Sequence, residues 1–412
     1  MISKTIFRSH GQSLIEVLIA LSLGALIIGS ATGAIVLTVR LNNQNRLVQS
    51  ASFLAQEISD NAKPVSSSNW VGLYNLTKGA STKYYFYPSA SGFGVVTGTE
   101  GVIENDLKNG LVGLWKFDET SGANAYDSSI KNNAGTLSGT PTRTSSCQIS
   151  DCLTFSGTGQ YVNIPPPTGF PTTSITVSAW VYLTSHITSN DLVTNNFSVS
   201  GGWDLFADSL GNAMFGVFNG TSQFNASGCS TAFTTSAWHH LLGTYDGTTV
   251  KVYLDGVQCT TTSALSSQTL YTAGSIRIGD ADGTSFSHKI DDVRIYNRAL
   301  SSSEVTQIYN SKLFLRSFAI ENVSRDVSGG IVTTGGTDDP STQKITSTVS
   351  WTDKGSNPNV QISGYVTRSR NNVTDFTNWN GSTGVDGPVT DGNSDYSSQT
   401  GIKFTTPGSI SL

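Results

Sequence analysis

One carboxylate in this chain stands where a carboxylate is costly. From Leu14 to Val39 the only ionisable side chain is Glu16, and no proline interrupts the run. At about 1.5 Å of rise per residue these residues make a helix of roughly 39 Å, longer than a hydrocarbon core of about 30 Å. An acid inside such a helix costs about 2.5–3.5 kcal/mol on insertion scales, so it calls for a cationic partner. Other groups with chemical potential are few. Cys147, Cys152, Cys229 and Cys259 all lie outside the apolar run and point to an oxidised, extracytoplasmic setting. Their spacing favours two local disulfides, 147–152 and 229–259, and leaves the other two pairings open; no Cys-x-x-Cys spacing supports zinc. His239 and His240 are neighbours, and adjacent residues on a strand face opposite ways, so they read as structural and not as a shared metal grip. Glycoside hydrolysis needs two carboxyl groups flanking one bond. Between Gly110 and Ser311 the only glutamates are Glu119 and Glu304, and Glu304 completes a Ser-x-x-Glu cap with Ser301. No enzymatic activity is expected.

The element that positions Glu16 has its own signature. Gly11-Gln12-Ser13-Leu14-Ile15-Glu16 follows a short leader with Lys4 and Arg8. A secretory signal fits poorly, because its apolar part should be about 7–15 residues long and precede a small-residue cleavage site. The segment resembles the type IV prepilin leader, through Gly11, Leu14, Ile15 and Glu16. That resemblance implies cleavage after Gly11 by a prepilin peptidase and methylation of the new amine on Gln12, where the family commonly has Phe. It further implies that Glu16 neutralises the Gln12 amine of an adjacent pilin subunit during assembly. Beyond Val39 the apolar residues Leu47, Val48, Ala51, Leu54, Ala55 and Ile58 continue at helical spacing, and Pro64 is expected to end the helix.

Composition bounds the remainder of the chain. Charged residues are 13% of the total, with 42 glycines and a formal net charge of −5. Few charges with many Thr, Val and Tyr favour strands, and no basic footprint for nucleic acid appears. Strand-like runs recur at 161–164, 175–183, 213–218, 238–245, 250–254 and 275–278, several separated by Asp-Gly turns, which implies a sandwich or jelly roll.

The segments Trp115–Gly122, Ala237–Gly247, Val252–Gly256 and Ile290–Leu300 resemble the laminin-G-like, concanavalin A-like jelly roll, over about Gly110 to Ser311. The resemblance implies binding of glycans or proteins, often with calcium. Hydrolytic relatives carry a Glu-x-Asp-x-x-Glu strand that has no counterpart here. In that family the terminal strands pair in one sheet, which would bring Asp118 towards Asp291. With Asp127 they form a candidate set for a structural Ca2+ ion, which takes several oxygen ligands; the bland reading is that they bond turns and strand ends. Trp203, Phe206, Phe215, Phe218 and Phe224 are candidates for sugar stacking or for core.

The expected fold class is α+β. A leader (1–11) precedes a long helix (12–63, crossing the membrane at about 14–39). A pilin-type head in two parts (64–109 and 312–412) packs a small antiparallel sheet on that helix, with the jelly roll (110–311) inserted between them. Strand-like patterning over 70–76, 83–87 and 92–103, then 313–323, 343–351 and 360–368, supplies the head, with loop at 381–394 and a last strand near 401–405. Insertion is preferred to beads on a string, since guest termini on neighbouring strands lie close together. The expected protein is a minor pilin or pseudopilin. It would be a single-pass precursor in the cytoplasmic membrane and then part of a surface filament, displaying the jelly roll for adhesion to a glycan or matrix protein. The alternative is a non-adhesive subunit that primes or caps assembly.

Overall fold

A computed structural model describes residues 14–90, 92–104, 106–156, 159–185, 189–196, 198–230, 233–279, 288–353 and 355–368, and the backbone of 403–406 and 409–411. The leader with Gly11 and Gln12, and the expected loop at 381–394, lie outside these residues. The chain divides into two units, Met1–Ala51 and Ser52–Leu412.

The helix α1 (Leu14–Ser68) is long and apolar enough to cross a membrane. In its first part Leu14, Leu18, Leu26, Ile27 and Ile28 are all exposed. The few hydroxyls there bond back to the helix: Ser22 Oγ donates to Leu18 O at 2.7 Å, and Thr32 Oγ1 and Thr38 Oγ1 donate to Ile28 O and Ala34 O at 2.8 Å. Polar side chains satisfied in this way add little to the cost of lipid burial.

Pro64 does not end α1, which runs four residues further. Proline removes the donor that would serve Asp60 O, but Val65 beyond it is buried with Ile58 and Ala62 in the core of the head. That burial offsets the loss. Residues 70–74 are also not a strand. They form the helix α2 (Trp70–Tyr74), because Asn69 Oδ1 accepts from Gly72 N at 2.9 Å as an N-cap, and Trp70 and Leu73 bury one face.

The head is an antiparallel sheet in the order Gly92–Thr97, Tyr84–Ser89, Leu313–Arg325, Thr337–Trp351, Asn359–Thr367. Glu100–Ile103 also joins Leu313–Arg325, with Leu313 opposite Ile103. Phe318, Ile320, Ile345, Val366, Tyr84 and Phe86 pack on Ile58, Ala62 and Val65 of α1. At the C-terminal end, Lys403–Thr406 pairs with Ser409–Ser411.

Between Ile103 and Leu313 the chain leaves the head and builds a two-sheet sandwich. The first sheet runs Val257–Gln258, Thr249–Leu254, Trp238–Tyr245, Ile175–Leu183, His288–Tyr296, Cys152–Phe155, Thr142–Thr144, with Leu111–Trp115 also on His288–Tyr296. The second runs Gln223–Ala226, Ala213–Phe218, Trp203–Asp208, Ser189–Asn195, Ile276–Gly279, Tyr161–Ile164, Gly135–Ser138, Asn124–Ala125. Their inner faces share one core that includes Val177, Val181, Leu241, Trp203, Leu205, Phe215, Ile276 and Ile278. The outer side of the first sheet is covered by α3 (Ser302–Asn310), whose Val305 and Ile308 pack with Leu114, Trp180, Leu242, Tyr253 and Tyr296. Ser301 and Glu304 form the capping box that opens α3, and Arg298 pairs with Glu304 at 2.7 Å. The strands that enter and leave the sandwich are thus neighbours, Leu111–Trp115 on His288–Tyr296 and Glu100–Ile103 on Leu313–Arg325.

Gly243 marks how closely the sheets meet: a Cβ there would lie 2.0 Å from Phe215 Cγ. Gly243→Ala should therefore destabilise the sandwich by about 1–3 kcal/mol through overpacking, read as a lowered midpoint in thermal unfolding of the full chain.

Candidate functional site

Glu16 lies on α1 and is the only ionisable side chain between Leu14 and Val39. The expected partner residue, Gln12, lies outside the described residues.

The three aspartates do not assemble. Asp118 and Asp291 converge on the loop closed by the Cys147–Cys152 disulfide. Asp118 Oδ1 accepts from Asp151 N at 3.1 Å and its Oδ2 from Gly101 N at 2.7 Å; Asp291 Oδ2 accepts from Ile149 N at 2.8 Å. Asp127 serves another turn, accepting from Leu114 N, Ser129 N, Ser129 Oγ and Asn133 N at 2.8–2.9 Å. Among the described residues no group of three or more His, Cys, Asp or Glu side chains is placed to hold a metal. A calcium ion wants six to eight oxygens converging on one point; here both oxygens of Asp118 and of Asp127 and Oδ2 of Asp291 are taken by N–H and O–H donors of their own chain, and Asp291 Oδ1 is buried without a hydrogen-bond partner. The set does not fit a common ion, and the turn-bonding reading describes it.

Burial shapes the charge of these groups. It raises Asp118 well above the usual carboxylate range, and raises Asp291 similarly, with the Asp118 and Asp292 charges adding to it. Glu100 goes the other way. Burial alone would raise it, but Arg316 and Lys116 hold it at about 2, with Lys116 Nζ 2.6 Å from Oε1.

The histidines face opposite ways. His239 Nδ1 lies 2.8 Å from Asp255 Oδ2, and its Nε2 lies 2.7 Å from Thr234 Oγ1. His240 is buried against Trp180 and Tyr309, and burial lowers its pKa to about 3, so it is neutral. Of the five candidate aromatics, Trp203 and Phe215 are fully buried in the core and Phe224 packs against it. Phe206 and Phe218 alternate with core residues of their strands and lie half-buried on the outer side of the second sheet.

That outer side carries a feature no single segment announced. Because core residues alternate with outward ones, the cross-strand registers define a row of outward residues through all eight strands. Asn124 pairs with Thr136, Thr136 with Asn163, Asn163 with Arg277, Arg277 with Thr194, Thr194 with Asp204, Asp204 with Gly216, and Gly216 with Asn225. Seven of these eight side chains can hydrogen-bond, and the eighth is a glycine. A Cβ at Gly216 would lie 2.2 Å from Asn225 Oδ1 and 2.7 Å from Gln223 Nε2, so two amides fold into the notch that glycine leaves. The Arg277 guanidinium lies over the Tyr161 ring at 4.8 Å. The row is exposed at Asn124, Thr136 and Arg277 and buried at Thr194 and Asp204. Hydrogen-bonding side chains with aromatic faces beside them are the chemistry that recognises hydroxylated rings.

Residues 6–32 match the prokaryotic N-terminal methylation motif, and residues 156–306 match the concanavalin A-like lectin/glucanases superfamily. The chain thus joins a type IV pilin-type N-terminus, whose motif implies pilin-like processing, to a concanavalin A-like jelly roll. A search of curated proteins finds no match. Among solved structures, domain 4 of an extracellular arabinanase from Geobacillus stearothermophilus, in complex with arabinotriose, is 21% identical with a TM-score of 0.41. That alignment covers 48% of this chain and 98% of that one. The botulinum neurotoxin serotype D binding domain is 12% identical, with a TM-score of 0.42, over 61% of this chain and 74% of that one.

Because burial favours the protonated form of Asp291, its contribution to stability is full below the unfolded value of 3.8 and is lost as pH rises through the higher folded value. Asp291→Asn stays neutral and keeps an oxygen for Ile149 N. Its unfolding midpoint relative to the parent should therefore climb as pH is raised from about 4 to about 8; a pH-independent difference would contradict this.

Proposed function

We propose that this chain is a low-abundance subunit of a type IV-type filament whose jelly roll binds a glycan through the outer face of its second sheet. The accessible stretch of the polar row, Asn124, Thr136, Asn163 and Arg277, carries this reading: it is a solvent-facing run of hydrogen-bonding side chains on the second sheet, while α3 covers the opposite sheet. The lectin/glucanase superfamily match supports a carbohydrate as the ligand class. Prepilin peptidase cleaves after Gly11, the amine of Gln12 is methylated, and Glu16 neutralises that amine on a neighbouring subunit. The precursor is held in the cytoplasmic membrane by α1, and the assembled subunit presents the jelly roll at the cell surface. A domain of this size on every subunit would crowd a helical filament, which supports a minor component.

Two measurements test this. The full chain in detergent micelles, applied to a glycan panel, should show saturable binding to a defined sugar. Arg277→Ala and Asn163→Ala, both at solvent-accessible row positions, should weaken that binding by about tenfold or more, roughly 1.4 kcal/mol or more, with unchanged thermal midpoints. Binding that both variants retain would move the site elsewhere, and no binding by a folded chain would favour a subunit that only primes or caps assembly. In cells, Glu16→Ala should still be cleaved yet remain in the membrane fraction and not the sheared filament fraction; incorporation at the parental level would refute the pairing with Gln12.

A further inference from the structure

The six-residue ring closed by Cys147 and Cys152 lies between the head and the sandwich, touching both. On the head side, Ser150 Oγ donates to Thr99 O at 2.7 Å. Ile149 packs so closely that its Cγ2 lies 2.4 Å from where a Cβ on Gly101 would be. Ile149 shares a buried cluster with Ile103 of the head and with Leu111 and Leu114 of the sandwich. On the sandwich side, Asp291 and Asp118 accept the Ile149 and Asp151 amides, and Asp118 also accepts Gly101 N from the head. One short loop therefore gives an amide to each of the two buried aspartates and wedges the head strand.

The shape of this loop is not one the chain favours unaided. Ser146 and Ser150 hold positive φ angles of 61° and 69°, a left-handed conformation that is uphill for residues other than glycine. Within the ring, Cys147 N donates to Ser150 O at 2.9 Å. The Cys147–Cys152 bridge closes the ring that holds these two residues. The second bridge, Cys229–Cys259, has no such position: it ties segments that already pair at Ser227 and Thr261 inside the sandwich.

We propose that Cys147–Cys152 is a site of thiol–disulfide exchange that latches the jelly roll to the head. Cys147 is partly accessible and Cys152 is fully buried, so an incoming thiolate attacks Cys147 Sγ and Cys152 leaves as the thiolate, which takes up a proton. The second thiol of the attacking dithiol then displaces Cys147. Two electrons and two protons pass to the protein, the Cys147–Cys152 bond becomes two thiols, and the dithiol becomes a disulfide. The partner class is an extracytoplasmic dithiol oxidoreductase, and the reverse reaction closes the latch.

Amide hydrogen exchange on the full chain in detergent micelles, with and without dithiothreitol, tests this, using a Cys229→Ser/Cys259→Ser background so that one bond responds. Reduction should speed exchange at Gly101, Ile149 and Asp151 by about tenfold or more, and leave the core strand amides of Val177 and Leu241 unchanged. A Cys147→Ser/Cys152→Ser chain, without reductant and with the second bridge intact, should show the same local pattern. Unchanged protection at the three amides in either form would overturn the latch. Equal acceleration in the core strands would also overturn it, making the bridge a general staple.

Discussion

The structure depends on one chain of ion pairs that runs from the part-exposed Glu57 to a buried end at Glu100 and Lys116. Glu57 on α1 pairs with Arg316 on Leu313–Arg325 at 2.8 Å, Arg316 pairs with Glu100 on Glu100–Ile103, and Glu100 pairs with Lys116 at the start of the sandwich. Lys116 and Glu100 are 6% and 4% exposed at their side chains, so each relies on the other for compensation. Buried ion pairs return little net stability over apolar replacements, but losing one member strands the rest. What this chain of charges contributes is register: the helix, the head sheet and the inserted domain are bonded in sequence through a single set of ion pairs. Glu100 is held ionised by its two cations, while nearby Asp118 and Asp291 are driven towards neutrality. Acidification therefore acts on the junction in opposite senses, weakening the first and easing the second.

The sandwich divides its two outer faces between architecture and chemistry. The first sheet turns its outward residues to α3 and to the head, an apolar cluster at Leu114, Trp180, Leu242 and Tyr253 lying beside buried polar groups such as Thr176, His240 and Arg294. The second sheet turns out amides, hydroxyls and charges. The same period-two rule produces both faces, and only the chemistry of alternate positions distinguishes them.

Much of this was legible in the residues. The apolar run around Glu16, the strands of the jelly roll and the strands of the head follow from hydropathy pattern and turn chemistry. The opposed faces of His239 and His240 follow from strand periodicity. Four things were not legible, for physical reasons. Trp70–Tyr74 looked extended because two apolar positions suit either period, and a single Asn69 cap decided for helix. Pro64 looked like a terminus because the burial of Val65 beyond it depends on a sheet whose strands Leu313–Arg325, Thr337–Trp351 and Asn359–Thr367 lie more than 200 positions away. The row across the second sheet was hidden because outward positions can be read from each strand, but the neighbours of that strand cannot. Asn163 meets Arg277 only once the topology is known. Asp118 and Asp291 were placed near one another by resemblance, but the loop whose amides bond one oxygen of each comes from neither strand.

The inserted arrangement also has a mechanical meaning. A domain strung on the end of a chain hangs from one covalent link and swivels about it. Here the sandwich is joined to the head by two antiparallel links side by side, one entering at Glu104 and one leaving at Lys312, themselves bonded through Glu104 N to Lys312 O at 2.6 Å. Tension applied to the sandwich divides between two covalent paths, and torque meets a couple instead of a pivot. A head held in place and pulled at its inserted domain would transmit direction as well as load.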